Sequence, residues 1–148
     1  MILNRQRAVR VARRPLEEFF HRVLEEMGLR DSEITICFVS DAEIARMNLA
    51  FRGKKGPTDV LSFPAGTKRR KRTYTESAEN TEKNYLGDIA IAPETARRYA
   101  KKNGRSLSNE LRVLILHGVL HLQGYDHETD RGEMDRIERK LRRRFGLA

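Results

Sequence analysis

The chain has one cysteine, Cys37, no tryptophan and only four prolines among its 148 residues. A lone cysteine excludes an internal disulfide and a zinc cluster built on cysteines. The longest unbroken apolar run in the segments with helical periodicity is residues 113–116, far below the ~20 residues of a membrane helix. The first fifteen residues carry five arginines and lack the apolar stretch of a secretory signal. These absences predict a protein of the reducing cytoplasm with no membrane partner.

The charge balance is strongly basic. Thirty Lys and Arg against twenty-one Asp and Glu leave a net charge of +9 and a pI of about 10.1. Such a field attracts polyanions, and nucleic acid is the commonest polyanion of a cytoplasm. A solvated surface with a Lys/Arg bias, as in some thermostable proteins, is the alternative interpretation.

The hydrophobic pattern predicts one α+β domain over residues 1–148, with a small mixed β-sheet of about four strands covered by helices. Segments rich in β-branched and aromatic residues predict strands at 34–39, 59–64 and 86–92, with Ile2 and Leu3 as an edge strand. Helical spacing predicts helices at 15–28, from the cap Asp41 to about 51–53, and at 93–104. A last helix is expected after a capping box formed by Asp130 and Glu133.

One segment, residues 66–84, has no apolar periodicity and contains five consecutive cations at 68–72. A connection of this length within a compact domain is usually functional or disordered. Two interpretations stay open, namely a basic loop that grips phosphates and a flexible, solvated insertion.

Three of the four histidines lie within eleven residues, 117–127, which read HGVLHLQGYDH. The preceding segment, 109–116, is apolar on nearly every side and therefore predicts a buried helix, with Ser106 or Ser108 as its cap. His117 and His121 are four residues apart and share one helix face. Two imidazoles on a buried helix are costly without partners, and a divalent metal ion satisfies both.

The position of Gly124 favours a turn that places the third histidine, His127, near the other two. Gly124 can adopt the left-handed conformation that ends a helix, so that the next residues return His127 toward His117 and His121. Three imidazoles at about 2.0–2.1 Å from one ion leave a coordination position open, as in catalytic zinc sites. The sequence therefore predicts one Zn²⁺ per chain, held by these three histidines; three unrelated histidines are the alternative.

The spacing equals that of the long zinc-protease motif H-E-x-x-H-x-x-G-x-x-H, including Gly124. Where that motif has its glutamate general base, this chain has Gly118. We therefore expect no peptidase of that kind. We also expect Gly118 to open space beside the metal for a bulky substrate.

The same eleven residues resemble the H-G-x-L-H-L-x-G-Y-D-H motif of the YbeY family, bacterial single-strand-specific endoribonucleases of ribosomal RNA maturation. Residues 51–54 (FRGK), 57–64 (PTDVLSFP) and 86–91 (LGDIAI) also resemble family blocks in order and spacing. The resemblance covers about residues 48–127. It implies a zincin-like fold, metal ligands at His117, His121 and His127, and an essential arginine, Arg52, in the cleft near the metal.

The resemblance also implies a role in maturation of the 16S rRNA 3′ end and in ribosome quality control, with the small ribosomal subunit and an associated GTPase as partners. Zinc lowers the pKa of bound water to about 7 and polarises a phosphoryl oxygen. His117 and Arg52 are the expected catalytic residues, because Arg52 carries a planar charge suited to clamping a phosphate. The cationic run at 68–72 departs from the family pattern.

Several roles stay open at this stage. Asp126 or Glu128 orients an imidazole or faces water, and the general base is not identified. Two interpretations stay open for three aromatic residues, namely stacking on RNA bases and packing in the core: Phe51, Tyr85 and Tyr125. Two other functions compete, a metal-dependent hydrolase of peptides or small substrates and a non-catalytic ribosome-assembly factor with a structural metal.

Overall fold

The computed structural model describes residues 1–66, 84–126 and 128–147. Its elements in chain order are β1 (Ile2–Asn4), α1 (Arg13–Glu26), β2 (Ser32–Phe38), α2 (Asp41–Arg52), β3 (Val60–Pro64), β4 (Asn84–Ile91), α3 (Pro93–Lys102), α4 (Leu107–Leu122) and α5 (Glu133–Arg144). Four strands of the described part form one sheet in the order β1-β2-β4-β3. β1 and β4 run parallel to β2, whereas β3 is antiparallel to β4. The predicted mixed sheet of an α+β protein is confirmed.

Helices cover both faces of this sheet. Because successive side chains of a strand point to opposite faces, each strand contributes side chains to the core on either side. Ile36 of β2 and Ile89 of β4 pack with α1 and α4 in the larger core cluster. Cys37 and Phe63 lie in a second cluster with Ile44 of α2. Cys37 is fully buried, and burial raises the pKa of its thiol to about 12, which is typical of a core cysteine.

The histidine-bearing helix α4 is the most deeply buried helix of the described residues, with ten of its sixteen residues buried. Ser106 is its cap, since its Oγ accepts a hydrogen bond from the Asn109 backbone nitrogen at 3.1 Å. The buried Glu110 carboxylate is paired with Arg105 at 2.6 Å. Among the described residues, α4 and the other helices all fall short of the length and apolarity needed to cross a bilayer.

The cap of α2 differs from the prediction. Ser40, not Asp41, precedes the helix in an extended conformation, and its Oγ accepts from the Glu43 nitrogen at 3.1 Å. The Asp41 carboxylate instead accepts hydrogen bonds from Thr95 and Arg98 of α3, at 2.7 and 3.0 Å. Asp41 therefore joins two helices rather than capping one.

The capping box before α5 is also displaced. Gly132, with a φ of 99°, adds a left-handed residue, so that the helix begins at Glu133. Asp130 still serves the helix end, because its carboxylate accepts from the Met134 nitrogen at 2.8 Å. Glu133 accepts from Arg131 rather than from Asp130, which is the part of the prediction that is wrong.

A glycine within β4 allows α4 to lie close to the sheet. Gly87 has a φ of 143°, and a Cβ atom there would collide with the Phe63 carbonyl oxygen and lie 2.9 Å from Leu122 Cδ2. The last turn of α4 and the edge strand β3 therefore both approach β4 at this one position.

Most of the predicted loop at 66–84, including its five cations, lies outside the described residues. Its two interpretations, and the assignment of residues 1–148 to one domain, stay predictions.

Candidate active site

A cleft of about 650 Å³ opens between β3 and the carboxyl-terminal end of α4. Side chains of α2, of α4, of β3 with its preceding loop and of the segment after α4 meet there. They are Arg52, Thr58, Asp59, Val60, Leu61, Ser62, Pro64, His117, His121, Tyr125, Asp126 and Glu128, with Gly124 at the turn. The fold thus brings Arg52, the exposed last residue of α2, to the same cleft as two of the three predicted metal ligands.

The two α4 histidines converge on one point. Their Nε2 atoms are 3.1 Å apart, and their rings meet edge to face with centroids 4.6 Å apart. Two nitrogens bound to one tetrahedral zinc ion at about 2.0–2.1 Å lie roughly 3.3–3.4 Å from each other. His117 and His121 therefore fit two corners of a zinc site, as their spacing of four residues predicts.

The third predicted ligand, His127, lies outside the described residues. The turn before it has the predicted form, since Gly124 has a φ of 101° and the Tyr125 nitrogen donates to the Leu120 carbonyl at 3.2 Å. Within the described ranges, no group of three or more His, Cys, Asp or Glu side chains is arranged to hold a metal ion. The three-histidine site therefore stays a prediction.

A carboxylate from α5 contacts His117, and sequence reasoning missed it. Glu138 Oε1 lies 2.9 Å from His117 Nδ1, and Glu138 is 9% exposed. For Asp126 and Glu128 the sequence left open whether they orient an imidazole or face water. Asp126 accepts from the Glu128 backbone nitrogen at 2.9 Å, and Glu128 is exposed. A signal was available: Glu138 follows the buried Met134 by four residues, and a carboxylate on a buried helix face needs a partner.

A second carboxylate, Asp59, lies in the cleft wall just before β3. Burial raises its pKa, and the nearby Glu110 carboxylate adds to that effect. Backbone hydrogen bonds and His117 oppose it. Sequence reasoning assigned no role to this residue.

The three aromatic candidates for base stacking are in different environments. Tyr85 is buried, and its hydroxyl donates to the buried Asp88 carboxylate, so it belongs to the core. Phe51 is 48% exposed and packs edge to face on Phe63, on the face of the sheet covered by α2. Tyr125 is half-buried and lines the cleft.

The expected space beside the metal at Gly118 is not present. Gly118 is buried, and a Cβ atom at this position would lie 2.8 Å from Ile89 Cδ1. The glycine therefore faces Ile89 of the sheet, because α4 is pressed against β4. Its backbone carbonyl accepts a hydrogen bond from Ser62 of β3 at 3.4 Å.

Comparison with known proteins finds one family over nearly the whole chain. A family model described as endoribonuclease YbeY matches residues 1–146. The chain is 39% identical to the endoribonuclease YbeY of Koribacter versatilis over 147 residues, 99% of this chain and 86% of that protein. It is 36% identical to that of Aquifex aeolicus over 140 residues, 95% of this chain and 85% of that protein. The solution structure of TM1509 from Thermotoga maritima is similar, with a TM-score of 0.60 at 27% identity, covering 95% of this chain and 85% of that one.

Proposed function

The chain belongs to the endoribonuclease YbeY family, and on this premise we propose that it is a zinc-dependent endoribonuclease specific for single-stranded ribosomal RNA. Its place of action is the bacterial cytoplasm, in 16S rRNA 3′ end maturation and ribosome quality control. Its protein partners are the small ribosomal subunit and an associated GTPase. The family itself supports RNA hydrolysis; zinc, strand preference and partners are what we propose beyond it.

The single observation that carries the proposal is the pair of Nε2 atoms, 3.1 Å apart, that His117 and His121 present in a cleft also lined by Arg52. Neutral imidazoles are good ligands for zinc. A guanidinium beside them suits a phosphodiester, because it stays ionised and offers a planar fork of donors. This combination favours phosphoryl chemistry over peptide hydrolysis, for which the expected glutamate base is replaced by Gly118.

In this proposal each residue has a defined task. His117, His121 and His127 hold the ion. Bound zinc supplies Lewis-acid polarisation of a phosphoryl oxygen and activation of water at neutral pH. Arg52 binds the scissile phosphate and stabilises the negative charge that develops on its oxygens. The net charge of +9 raises the local concentration of RNA without providing sequence preference.

The experiment compares four proteins: wild type, His117→Ala, Arg52→Glu and the control Arg46→Glu. Arg46 is exposed on the same helix and lies outside the cleft lining, so it matches the charge change of Arg52→Glu. Zinc content, melting temperature and cleavage of a single-stranded and a duplex RNA are measured for each. We expect zinc in all but His117→Ala, and cleavage of single strands by wild type and Arg46→Glu only.

Three results would contradict the proposal. Equal residual cleavage in all four proteins would indicate a contaminating nuclease. Zinc-dependent cleavage of peptides or esters without cleavage of RNA would favour a different hydrolase. RNA binding without turnover, with His117→Ala unfolded, would favour an assembly factor with a structural metal.

Arg52→Ala separates binding from catalysis. Because the rest of the basic surface still attracts RNA, we expect a larger loss in kcat than in RNA affinity. The measurement is single-turnover cleavage beside equilibrium binding at one salt concentration. A loss confined to binding would contradict the role assigned to Arg52.

A further inference from the structure

The contact between α5 and the histidine pair has a specific geometry. Glu138 Oε1 lies 2.9 Å from His117 Nδ1, while His117 Nε2 lies 3.1 Å from His121 Nε2. Nδ1 of His117 thus faces the carboxylate of Glu138, whereas its Nε2 faces the ring of His121. We propose that Glu138 is a positioning residue, which selects the His117 tautomer with hydrogen on Nδ1 and aims the Nε2 lone pair at the metal position.

The chemistry of the pair sets the direction of the hydrogen bond. An ionised carboxylate only accepts hydrogen bonds, so Nδ1 donates to Glu138. In a neutral imidazole the other nitrogen then carries the lone pair, and that nitrogen is Nε2. A histidine held in this way is pre-oriented as a ligand and becomes more basic toward a metal ion.

Glu138 is itself held in place from α5. Arg142, one turn further along the helix, lies 3.8 Å from its second carboxylate oxygen. Both oxygens therefore have partners, which a carboxylate at 9% exposure needs. Met134, one turn before Glu138, is fully buried and anchors this part of α5.

Packing alone does not account for a glutamate at this position. Glu138 lies four residues after buried Met134 and three before Leu141, which packs against the core. An apolar residue would continue that stripe, and replacing a buried ion pair by apolar residues is often neutral or stabilising. The carboxylate therefore serves the histidine more than it serves the stability of the fold.

The inference rests on the proposed zinc function, and its test uses two readouts other than activity. The ¹⁵N chemical shifts of the His117 ring in zinc-free protein report the tautomer. Competition with a chromophoric chelator reports zinc affinity. The variants are Glu138→Leu, Glu138→Gln and, as control, Asp135→Asn, whose carboxylate lies on the exposed side of the same helix paired with Arg139.

We expect the Nδ1–H tautomer in wild type and Asp135→Asn, and a mixture with the Nε2–H form in Glu138→Leu. Zinc affinity should fall roughly 10–100-fold in Glu138→Leu. It should fall less in Glu138→Gln, whose amide oxygen still accepts from Nδ1. Melting of zinc-free Glu138→Leu should stay at or above that of wild type, which separates positioning from a structural role.

An unchanged tautomer or an unchanged zinc affinity in folded Glu138→Leu would overturn the inference. If that variant does not fold, the zinc affinity of Glu138→Gln decides in its place, and an affinity equal to that of wild type would overturn the inference. Wild type that binds no zinc would refute the proposed function, whereas the ring shifts of zinc-free protein still decide whether Glu138 selects the tautomer.

Discussion

Substitution of Gly118 by alanine tests how tightly α4 is pressed on the sheet. The new Cβ would lie 2.8 Å from Cδ1, 3.0 Å from Cγ2 and 3.1 Å from Cγ1 of Ile89. Ile89 is fully buried and β-branched, so it has little freedom to move away. Overpacking of this kind costs about 1–3 kcal/mol. Alanine gains about 1 kcal/mol over glycine in a helix, so a net destabilisation of about 0–2 kcal/mol is expected.

A double-mutant cycle isolates the steric part. Ile89→Ala removes all three atoms that the new methyl group meets, at a cost of about 2–5 kcal/mol. In that background Gly118→Ala should become stabilising by about 1 kcal/mol, because only the helix propensity remains. The coupling energy between the two sites then equals the steric term, about 1–3 kcal/mol.

The assay is urea unfolding of the four zinc-free proteins followed by circular dichroism, analysed with a common m-value. The contact is refuted if Gly118→Ala changes stability by the same amount in both backgrounds. Stabilisation by Gly118→Ala in the wild-type background would equally show that the helix is not pressed on Ile89.

Three further predictions concern single residues. Because burial raises the pKa of Asp59 above 3.8, ionising this carboxyl costs stability as pH rises from about 3.8 through the folded pKa. Asp59→Asn should therefore raise the melting temperature of zinc-free protein at neutral pH but not below pH 3.8. An equal change in melting temperature at the two pH values would contradict this prediction. Ser40→Ala should cost about 1 kcal/mol through loss of the α2 cap, and Ser40→Gly only a few tenths; equal losses would contradict the cap. Cys37, with a pKa of about 12, should react with an alkylating probe only after unfolding, and rapid labelling of native protein would show that it is accessible.

Local periodicity was enough to predict the strands and helices to within about two residues at most ends. The strand predicted at 34–39 is Ser32–Phe38, and the one predicted at 59–64 is Val60–Pro64. The order of the strands was not predictable in this way, because the insertion of β4 between β2 and β3 depends on contacts far apart in the chain. Zincin-like architecture stays a prediction.

The errors at helix ends have two physical causes. Ser40 and Asp41 are both good capping residues, and nothing local distinguishes them. Asp41 is engaged by Thr95 and Arg98, more than fifty residues away, and only the folded chain brings these together. Before α5, the left-handed Gly132 shifts the start of the helix, which the D-x-x-E spacing did not anticipate.

The candidate site was likewise predictable where its residues are close in the chain, and not where they are far apart. His117 and His121 were predictable, because the spacing of four residues places both on one helix face. The position of Arg52 in the cleft was implied by the family resemblance alone. Glu138 was missed because it lies 21 residues from His117, on a helix whose docking is a tertiary event.

The absence of a side chain at Gly87 has a consequence for the position of β3, one wall of the cleft. One wall, β3, and the other wall, the end of α4, both touch β4 at this residue, through Phe63 and Leu122. A side chain there would meet the Phe63 carbonyl oxygen and the Pro64 Cα atom, which belong to the backbone of β3, so β3 would have to shift away from β4. The closeness of β3, one wall of the cleft, to β4 thus depends on the absence of a side chain at residue 87.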